Sequence, residues 1–276
     1  MVVVQLTNGF GNNLFQFIAA RQLAEHHKKD LFLMTNANYY AIKDLKKLGI
    51  SGFITHRPPK KFKMVNDNNY LDFFSPSFEN DNLFLCGYFE NHIYYGTKIN
   101  EIKKWFPKIN KRSDNDLVIH FRGTDRLLYN SAFNYKANPQ SFLKATKNFN
   151  FNKLHIVTDM PNWRHITVQE LKKMSLHVGV PANLRVSPQQ SVDYFNSFVD
   201  TLAPLNPIIK ERSIVEDFNF IRTFDNILFE HGTLGWWAAA LSNASKIGVY
   251  GPWRAWKGSS NKNLSNVELP GWFKWE

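Results

Sequence analysis

The segment Val118–Arg126 of this chain, VIHFRGTDR, has the residue types that an anion-binding strand end needs. A short apolar run leads into His120, Arg122 and Arg126, and Asp125 lies between the two arginines. An arginine guanidinium binds two phosphate oxygens through parallel hydrogen bonds, whereas a lysine ammonium acts as a point charge. The segment therefore predicts a strand that presents Arg122 to a diphosphate. For this motif taken alone, a strand end with solvated charges is the alternative.

The N-terminus reads as a strand, a glycine-containing loop and a helix. Residues 2–6 are apolar except for Gln5 and begin with three valines, residues 7–13 contain two glycines, and apolar residues then recur with helical spacing. Such a loop lets backbone amides approach a ligand, and a helix N-terminus favours negative charge. A tight turn in which Asn12 or Asn13 caps the helix is the alternative.

A second glycine segment lies near the C-terminus. Gly232, Thr233 and Gly235 introduce an apolar helix whose first turns contain the adjacent Trp236 and Trp237. Small residues at a helix N-terminus form a possible phosphate cradle. A core helix that packs two tryptophans would have the same pattern.

Hydrophobic periodicity predicts an α/β fold in two parts. We expect an N-terminal α/β domain over 1–107, a polar linker over 108–116 and a second α/β domain over 117–276. The predicted strands are 2–6, 31–35, 83–88, 117–121, 153–158, 183–187, 226–229 and 246–250. Beyond the N-terminal helix, the predicted helices are 139–148, 165–175, 190–202, 214–223 and 234–243.

Alternation of strands and helices in the second part implies parallel strands with right-handed crossovers. In open sheets of this kind, ligands bind beyond the carboxyl ends of the strands. Arg122 and Asp159 directly follow predicted strands, and Thr233 lies beyond the end of the strand predicted over 226–229. We therefore expect them to lie at one edge of the sheet.

Five collinear segments carry a family resemblance. NGFGNNLFQFIAARQL (8–23) is similar to GGLGNQMFQYAAARAL, LFLCGYFENHIYY (83–95) to LEGYWQSEKYF, and VIHFRGTDR to VHIRRGDY. HIVTDMPNW (155–163) is similar to FSDDxxW, and HGTLGWWAAAL (231–241) to NSTFSWWAAWL. Together they resemble the fucosyltransferase superfamily, most closely the α-1,2-fucosyltransferases.

The resemblance implies a GT-B architecture, with two Rossmann-like α/β halves facing a cleft and the nucleotide sugar bound mainly by the second half. It implies inverting transfer of a sugar, GDP-fucose being the favoured donor, to a hydroxyl of a glycan acceptor. It also places Arg122 on the donor diphosphate, Thr233 on phosphate, and Gly11 and Asn12 on the sugar and acceptor side. The resulting assignment for catalysis is Arg122, Asp125 and Asn12. The assignment for donor binding is Gly11, His120, Arg122, Arg126, Asp159, Gly232, Thr233 and Gly235.

This chain departs from the family pattern at four positions. Gly123 replaces the second arginine, and Gly232 and Gly235 replace serines. Met160 replaces a second aspartate in a region that reads the guanine edge, which leaves Asp159 alone for that role. Another donor, such as UDP-xylose or a rhamnose nucleotide, is therefore the alternative. Asp125 is the nearest carboxylate for a general base, and pairing with an arginine is its alternative role.

Composition narrows the classes of function. The chain has 276 residues, 43% of them hydrophobic, and a formal net charge of +11, which favours anionic ligands. Histidine spacing and one cysteine offer no metal cluster, and no DxD element is present, so we expect an enzyme without metal or cofactor. Dispersed cations argue against nucleic-acid binding; a glycan-binding protein without catalysis is a further alternative.

No apolar run approaches the ~20 residues of a membrane span, so we expect a cytoplasmic protein or a soluble fragment. Cys86 follows an apolar run, and we expect it to be a small buried residue.

Overall fold

The computed structural model of the protein describes residues 1–36, 39–58, 60–112, 114–128, 136–160, 163–175, 186–230, 232–251 and 268–276. Its contacts divide the chain into two compact units. The first unit is Met1–Lys108, and the second begins at Ile109 and includes the remaining described residues. Each unit is α/β with a parallel sheet, which confirms the predicted fold class.

The first unit contains a five-stranded parallel sheet in the order β3-β2-β1-β5-β4, within the described residues. Its strands are β1 (Val2–Gln5), β2 (Leu31–Met34), β3 (Phe53–Ile54), β4 (Lys63–Val65) and β5 (Leu83–Leu85). Its α-helices are α1 (Phe10–His26), α2 (Ile42–Lys47) and α3 (Ile99–Lys103). Short 3-10 helices occupy Tyr70–Phe74, Pro76–Phe78, His92–Tyr94 and Gly96–Lys98.

The second unit contains a six-stranded parallel sheet in the order β11-β10-β9-β6-β7-β8, again within the described residues. Its strands are β6 (Leu117–Phe121), β7 (Leu154–Thr158), β8 (Ile208–Ile209), β9 (Asn226–Phe229), β10 (Lys246–Tyr250) and β11 (Phe273–Trp275). Its helices are α4 (Thr124–Leu128), α5 (Pro139–Thr146), α6 (Val168–Ser175), α7 (Pro188–Leu202), α8 (Ile214–Arg222) and α9 (Thr233–Ala240), with a 3-10 turn at Ala203–Leu205.

The central strands are continuous apolar runs because both faces of a parallel sheet are covered. All five residues of β6 are buried, and β6 pairs with β7 on one side and β9 on the other. At its end, the Phe121 ring stacks on Phe198 of α7 with centroids 4.3 Å apart. Phe142 of α5 packs edge-on against Phe198 at 4.6 Å. This aromatic cluster fixes the end of β6, from which the next residue, Arg122, projects.

Three predictions from the sequence need correction. The strand predicted over 83–88 ends at Leu85. Cys86 lies beyond this strand and is exposed, so the prediction that its side chain is buried is wrong. Most of the strand predicted over 183–187 lies outside the described residues, and the two described positions, 186 and 187, are not in a strand. Within the described residues, no helix has the length and apolar character to cross a bilayer.

Helix α8 begins with a capping box. The Ser213 hydroxyl accepts from the Glu216 amide at 3.4 Å, and the Ser213 amide donates to the Glu216 carboxylate at 2.7 Å. Ser213→Ala should therefore lower the free energy of unfolding by about 1 kcal/mol, measured by urea denaturation. Ser187 precedes α7 and makes no side-chain cap, so Ser187→Ala is the matched control. It should change the free energy of unfolding by less than about 0.5 kcal/mol. Equal effects of the two substitutions would contradict the capping assignment.

Candidate diphosphate site

Arg122 lies at the carboxyl end of β6, where a carboxylate orients it. Asp159, which follows β7, forms an ion pair with Nε of Arg122 at 3.1 Å. The same carboxylate accepts from the Gly123 amide and the Thr124 hydroxyl, both at 2.6 Å. Two hydrogen bonds and the ion pair hold residues 122–124, which we call the arginine turn, and orient the guanidinium. The Arg122 side chain is 36% exposed, so this oriented group borders solvent.

The backbone of Arg122 is held from behind by a buried ion pair. Nζ of Lys136 donates to the Arg122 carbonyl at 3.0 Å and to the Glu230 carboxylate at 2.9 Å. The side chains of Lys136 and Glu230 are 2% and 0% exposed. The other Glu230 oxygen accepts from the Ala137 amide. Since Glu230 directly follows β9, the pair ties the ends of two neighbouring strands together.

Helix α9 begins beside Arg122. Its N-cap, Gly232, has φ +114°, a backbone conformation that side chains other than glycine rarely adopt. A Cβ at Gly232 would lie 3.4 Å from the His120 ring and 3.9 Å from Cβ of Arg122. The first turn of α9, which starts at Thr233, therefore directs its positive dipole end toward the same region as the arginine.

His120 lies buried against this helix. A Cβ on Gly235 would lie only 2.6 Å from Nδ1 of His120, so glycine allows the close packing of α9 on the ring. Burial lowers the pKa of His120 to about 4, although the Asp159 carboxylate acts in the opposite direction. The imidazole is therefore neutral at pH 7. Its position indicates that the ring packs against the first turns of α9. Because the ring is neutral, an ion pair between His120 and a phosphate is disfavoured at pH 7.

Gly123 and Met160 form a complementary pair. A Cβ on Gly123 would lie 2.2 Å from Cγ and 2.4 Å from Sδ of Met160, whose side chain is buried. The thioether thus occupies the space that a side chain at position 123 would need. The two departures from the family pattern are therefore one packing arrangement.

Asp217 is a candidate functional residue that the sequence pattern did not single out. Burial raises its pKa to about 7, while Arg212 at 3.7 Å opposes this shift and the charge of Asp159 adds to it. Arg212 in turn lies over the Phe220 ring at 3.6 Å. In the sequence, the adjacent carboxylates at 216 and 217 were the only indication of this residue. The tertiary structure distinguishes them, because Glu216 caps α8 and Asp217 is half-buried.

The structure brings six of the predicted donor residues to one edge of the second sheet: His120, Arg122, Asp159, Gly232, Thr233 and Gly235. Arg126 lies on α4, and its Nε is buried without a hydrogen-bond partner in the part of the chain that the structure describes. The side chain of Asp125 lies outside the described residues.

Gly11 and Asn12 belong to the first unit. Helix α1 begins at Phe10 with Gly9 as its N-cap, so both residues are in the first helical turn and neither is in the preceding loop. The amide of Asn12 donates to the Glu90 carboxylate at 2.7 Å. The capping alternative for Asn12 and Asn13 is wrong, because Asn13 is inside the helix and its amide donates to the Thr7 carbonyl.

Two further observations concern a groove away from the arginine turn and the question of a metal site. A polar groove of about 480 Å³ on the second unit is lined by Gln140, Asp193, Asn196, Ser197, Asp200 and Thr201, none of which belongs to the arginine turn. Among the residues that the structure describes, no group of three or more His, Cys, Asp or Glu side chains is arranged to hold a metal ion.

The buried ion pair predicts a large stability effect. Lys136→Met should lower the free energy of unfolding by about 3 to 5 kcal/mol, because Glu230 would remain buried without a counter-charge. Adding Glu230→Gln should recover part of this loss, since a neutral amide has a smaller desolvation cost. Urea denaturation measures both. Lys144, exposed on α5, is the control, and Lys144→Met should be nearly neutral. A Lys136→Met variant within 1 kcal/mol of the parent would contradict the buried pairing.

No family model and no curated protein sequence matches this chain. Among solved structures, it is similar to a crystal structure of NodZ alpha-1,6-fucosyltransferase soaked with GDP-fucose, with 13% sequence identity and a TM-score of 0.39. The alignment covers 87% of this chain and 92% of that chain.

Proposed function

We propose that this protein is a glycosyltransferase that moves a sugar from a nucleotide sugar to a hydroxyl of a glycan acceptor. The favoured donor is GDP-fucose. The observation that carries the proposal is the placement of Arg122 beside the glycine-capped start of α9, at the carboxyl edge of a parallel sheet. Ligands of open α/β sheets bind at this edge. The five collinear motifs supply the class of ligand.

The proposed chemistry is direct displacement with inversion at the anomeric carbon. The acceptor oxygen forms the new glycosidic bond as the bond to the diphosphate breaks, and negative charge develops on the leaving diphosphate. Preorganised donors aimed at this charge lower the barrier most. Arg122, oriented by Asp159, and the first turn of α9 would supply these donors, so the proposal includes no metal ion.

The acceptor hydroxyl must also lose a proton. Asp125 is the carboxylate nearest to Arg122 in sequence, and we propose it as the general base. The proton would pass to its carboxylate as the glycosidic bond forms. On the acceptor side, Asn12 and Gly11 of the first unit are the proposed contacts.

The donor base is the least constrained part of the proposal. Both oxygens of Asp159 accept hydrogen bonds from the arginine turn, and Met160 packs against Gly123. This arrangement favours a positioning role for Asp159 over direct reading of guanine. UDP-xylose or a rhamnose nucleotide is therefore the second candidate donor.

A thermal-shift panel of GDP, UDP, ADP, CDP and dTDP on the full chain tests the donor. A ligand that binds only the native state raises the melting temperature according to its affinity and concentration. We expect the largest shift with GDP. Stabilisation by UDP and not by GDP would contradict GDP-fucose as the donor and would remain compatible with sugar transfer.

With the preferred donor, release of free nucleoside diphosphate should persist in EDTA. Complete loss of this release on chelation would contradict the metal-free mechanism.

Arg122→Ala should weaken binding of the preferred nucleoside diphosphate at least tenfold, because a bidentate charge-assisted contact contributes ~2 to 4 kcal/mol. Isothermal titration calorimetry measures the Kd. Arg164 is the matched control: it is 58% exposed and pairs with Glu170 on the same unit, so Arg164→Ala should leave the Kd unchanged. An unchanged Kd for Arg122→Ala, in a variant that melts like the parent, would remove Arg122 from the site.

A further inference from the structure

Three loops of the first unit converge at the carboxyl edge of its sheet. Asn8 follows β1, the pair Tyr39 and Tyr40 follows β2, and Tyr88 follows β5. These strands are neighbours in the order β2-β1-β5, so their carboxyl ends lie side by side. This edge is the position at which open parallel sheets bind ligands.

Two tyrosine rings are exposed at this edge. Tyr40 is 67% exposed and Tyr88 is 47% exposed. A single exposed ring is common, but these two rings stand in adjacent loops and share Asn8 as a hydrogen-bonding partner, so they form one local surface. We call Tyr40 and Tyr88 the tyrosine platform.

Asn8 holds both rings in place. The Tyr40 hydroxyl donates to the Asn8 carbonyl at 2.8 Å, and the Asn8 side-chain amide donates to the Tyr88 hydroxyl at 2.8 Å. Asn8 itself has φ +61°, a conformation that asparagine tolerates better than most residues. Tyr39 also donates to the Asn8 carbonyl, and burial raises the pKa of Tyr39 to about 12. The rings are therefore oriented before any ligand arrives.

The loop that carries Tyr88 is fixed as well. Asp67, which follows β4, accepts from the amides of Tyr88 at 3.1 Å and Phe89 at 2.5 Å. Gly87 makes this possible, since a Cβ there would lie 2.3 Å from Asp67. The loop leads directly to Glu90, which pairs with Asn12. Oriented rings, amides and one carboxylate thus share one edge.

We propose that the tyrosine platform binds a neutral hexopyranose residue of a glycan. Sugars present an apolar face of C–H groups that packs on an aromatic ring, and their hydroxyls need amide and carboxylate partners such as those of Asn12 and Glu90. The negative charge of Glu90 disfavours acidic sugars. The identification of this sugar as the acceptor rests on the proposed transferase function, whereas the binding itself does not.

Saturation-transfer NMR on the full chain, without nucleotide, tests the binding with lactose, N-acetyllactosamine and chitobiose as probes. At least one disaccharide should receive saturation from the protein. Tyr40→Ala and Tyr88→Ala should each weaken its binding by roughly fivefold or more, because the apolar contact with the ring is lost. Tyr40→Phe and Tyr88→Phe keep the ring but remove its hydrogen bond to Asn8, so each should weaken binding by no more than about threefold and by less than the matching alanine variant.

Leu71 is the matched control, since it is a large apolar residue of the same unit that is 54% exposed. Leu71→Ala should bind the disaccharide like the parent. Absence of transfer to all three probes at 10-fold the concentration used for the nucleotides would overturn the proposal. Parent-like binding by both alanine variants, with parent-like melting, would also overturn it.

The two proposals can fail separately. Disaccharide binding that depends on the platform, in a chain that binds no nucleotide, would support the sugar site and overturn the transferase. Sugar transfer whose KM for the acceptor is unchanged by Tyr40→Ala and Tyr88→Ala would support the transferase and overturn this site.

Discussion

The buried Lys136–Glu230 ion pair is the interaction on which the geometry of the arginine turn depends. Moving two charges out of water carries a penalty of several kcal/mol per ion, which is offset only when each charge has a full set of partners. Here the partners include the Arg122 carbonyl and the Ala137 amide. The backbone of Arg122 is therefore held by the requirement to solvate a buried ammonium, and Asp159 orients its guanidinium.

The sequence predicted most of the second sheet because its central strands are long apolar runs. Strands β6, β9 and β10 have the predicted bounds. Strands β8 and β11 were missed, since β8 has two residues and β11 reads as part of a tryptophan-rich end. The edge strands of the first sheet, β3 and β4, are equally short. Short edge strands take their structure from the neighbour they pair with, which a local pattern does not contain.

The residues of the candidate site were partly predictable. The rule that ligands lie beyond carboxyl strand ends placed Arg122, Asp159 and Thr233 together from strand positions alone. It did not identify Lys136, because this lysine follows no strand in the sequence and becomes important only through burial. Nor did it identify the link between Gly123 and Met160, which are far apart in sequence and meet in space. A comparison of motifs treats the residues at 123 and 160 as two independent replacements.

The pairing of Lys136 with Glu230 spans 94 positions of the chain. Closing such a long loop is entropically costly, and contacts of this range form late unless other structure has already brought the partners together. The arginine turn is therefore complete only when β6, β7 and β9 have assembled. A peptide containing VIHFRGTDR, or a folding intermediate with that strand alone, would contain the arginine without its orientation. The anion affinity proposed for this edge would therefore belong to the finished second unit, and a bound nucleotide would select that state over every partly assembled one.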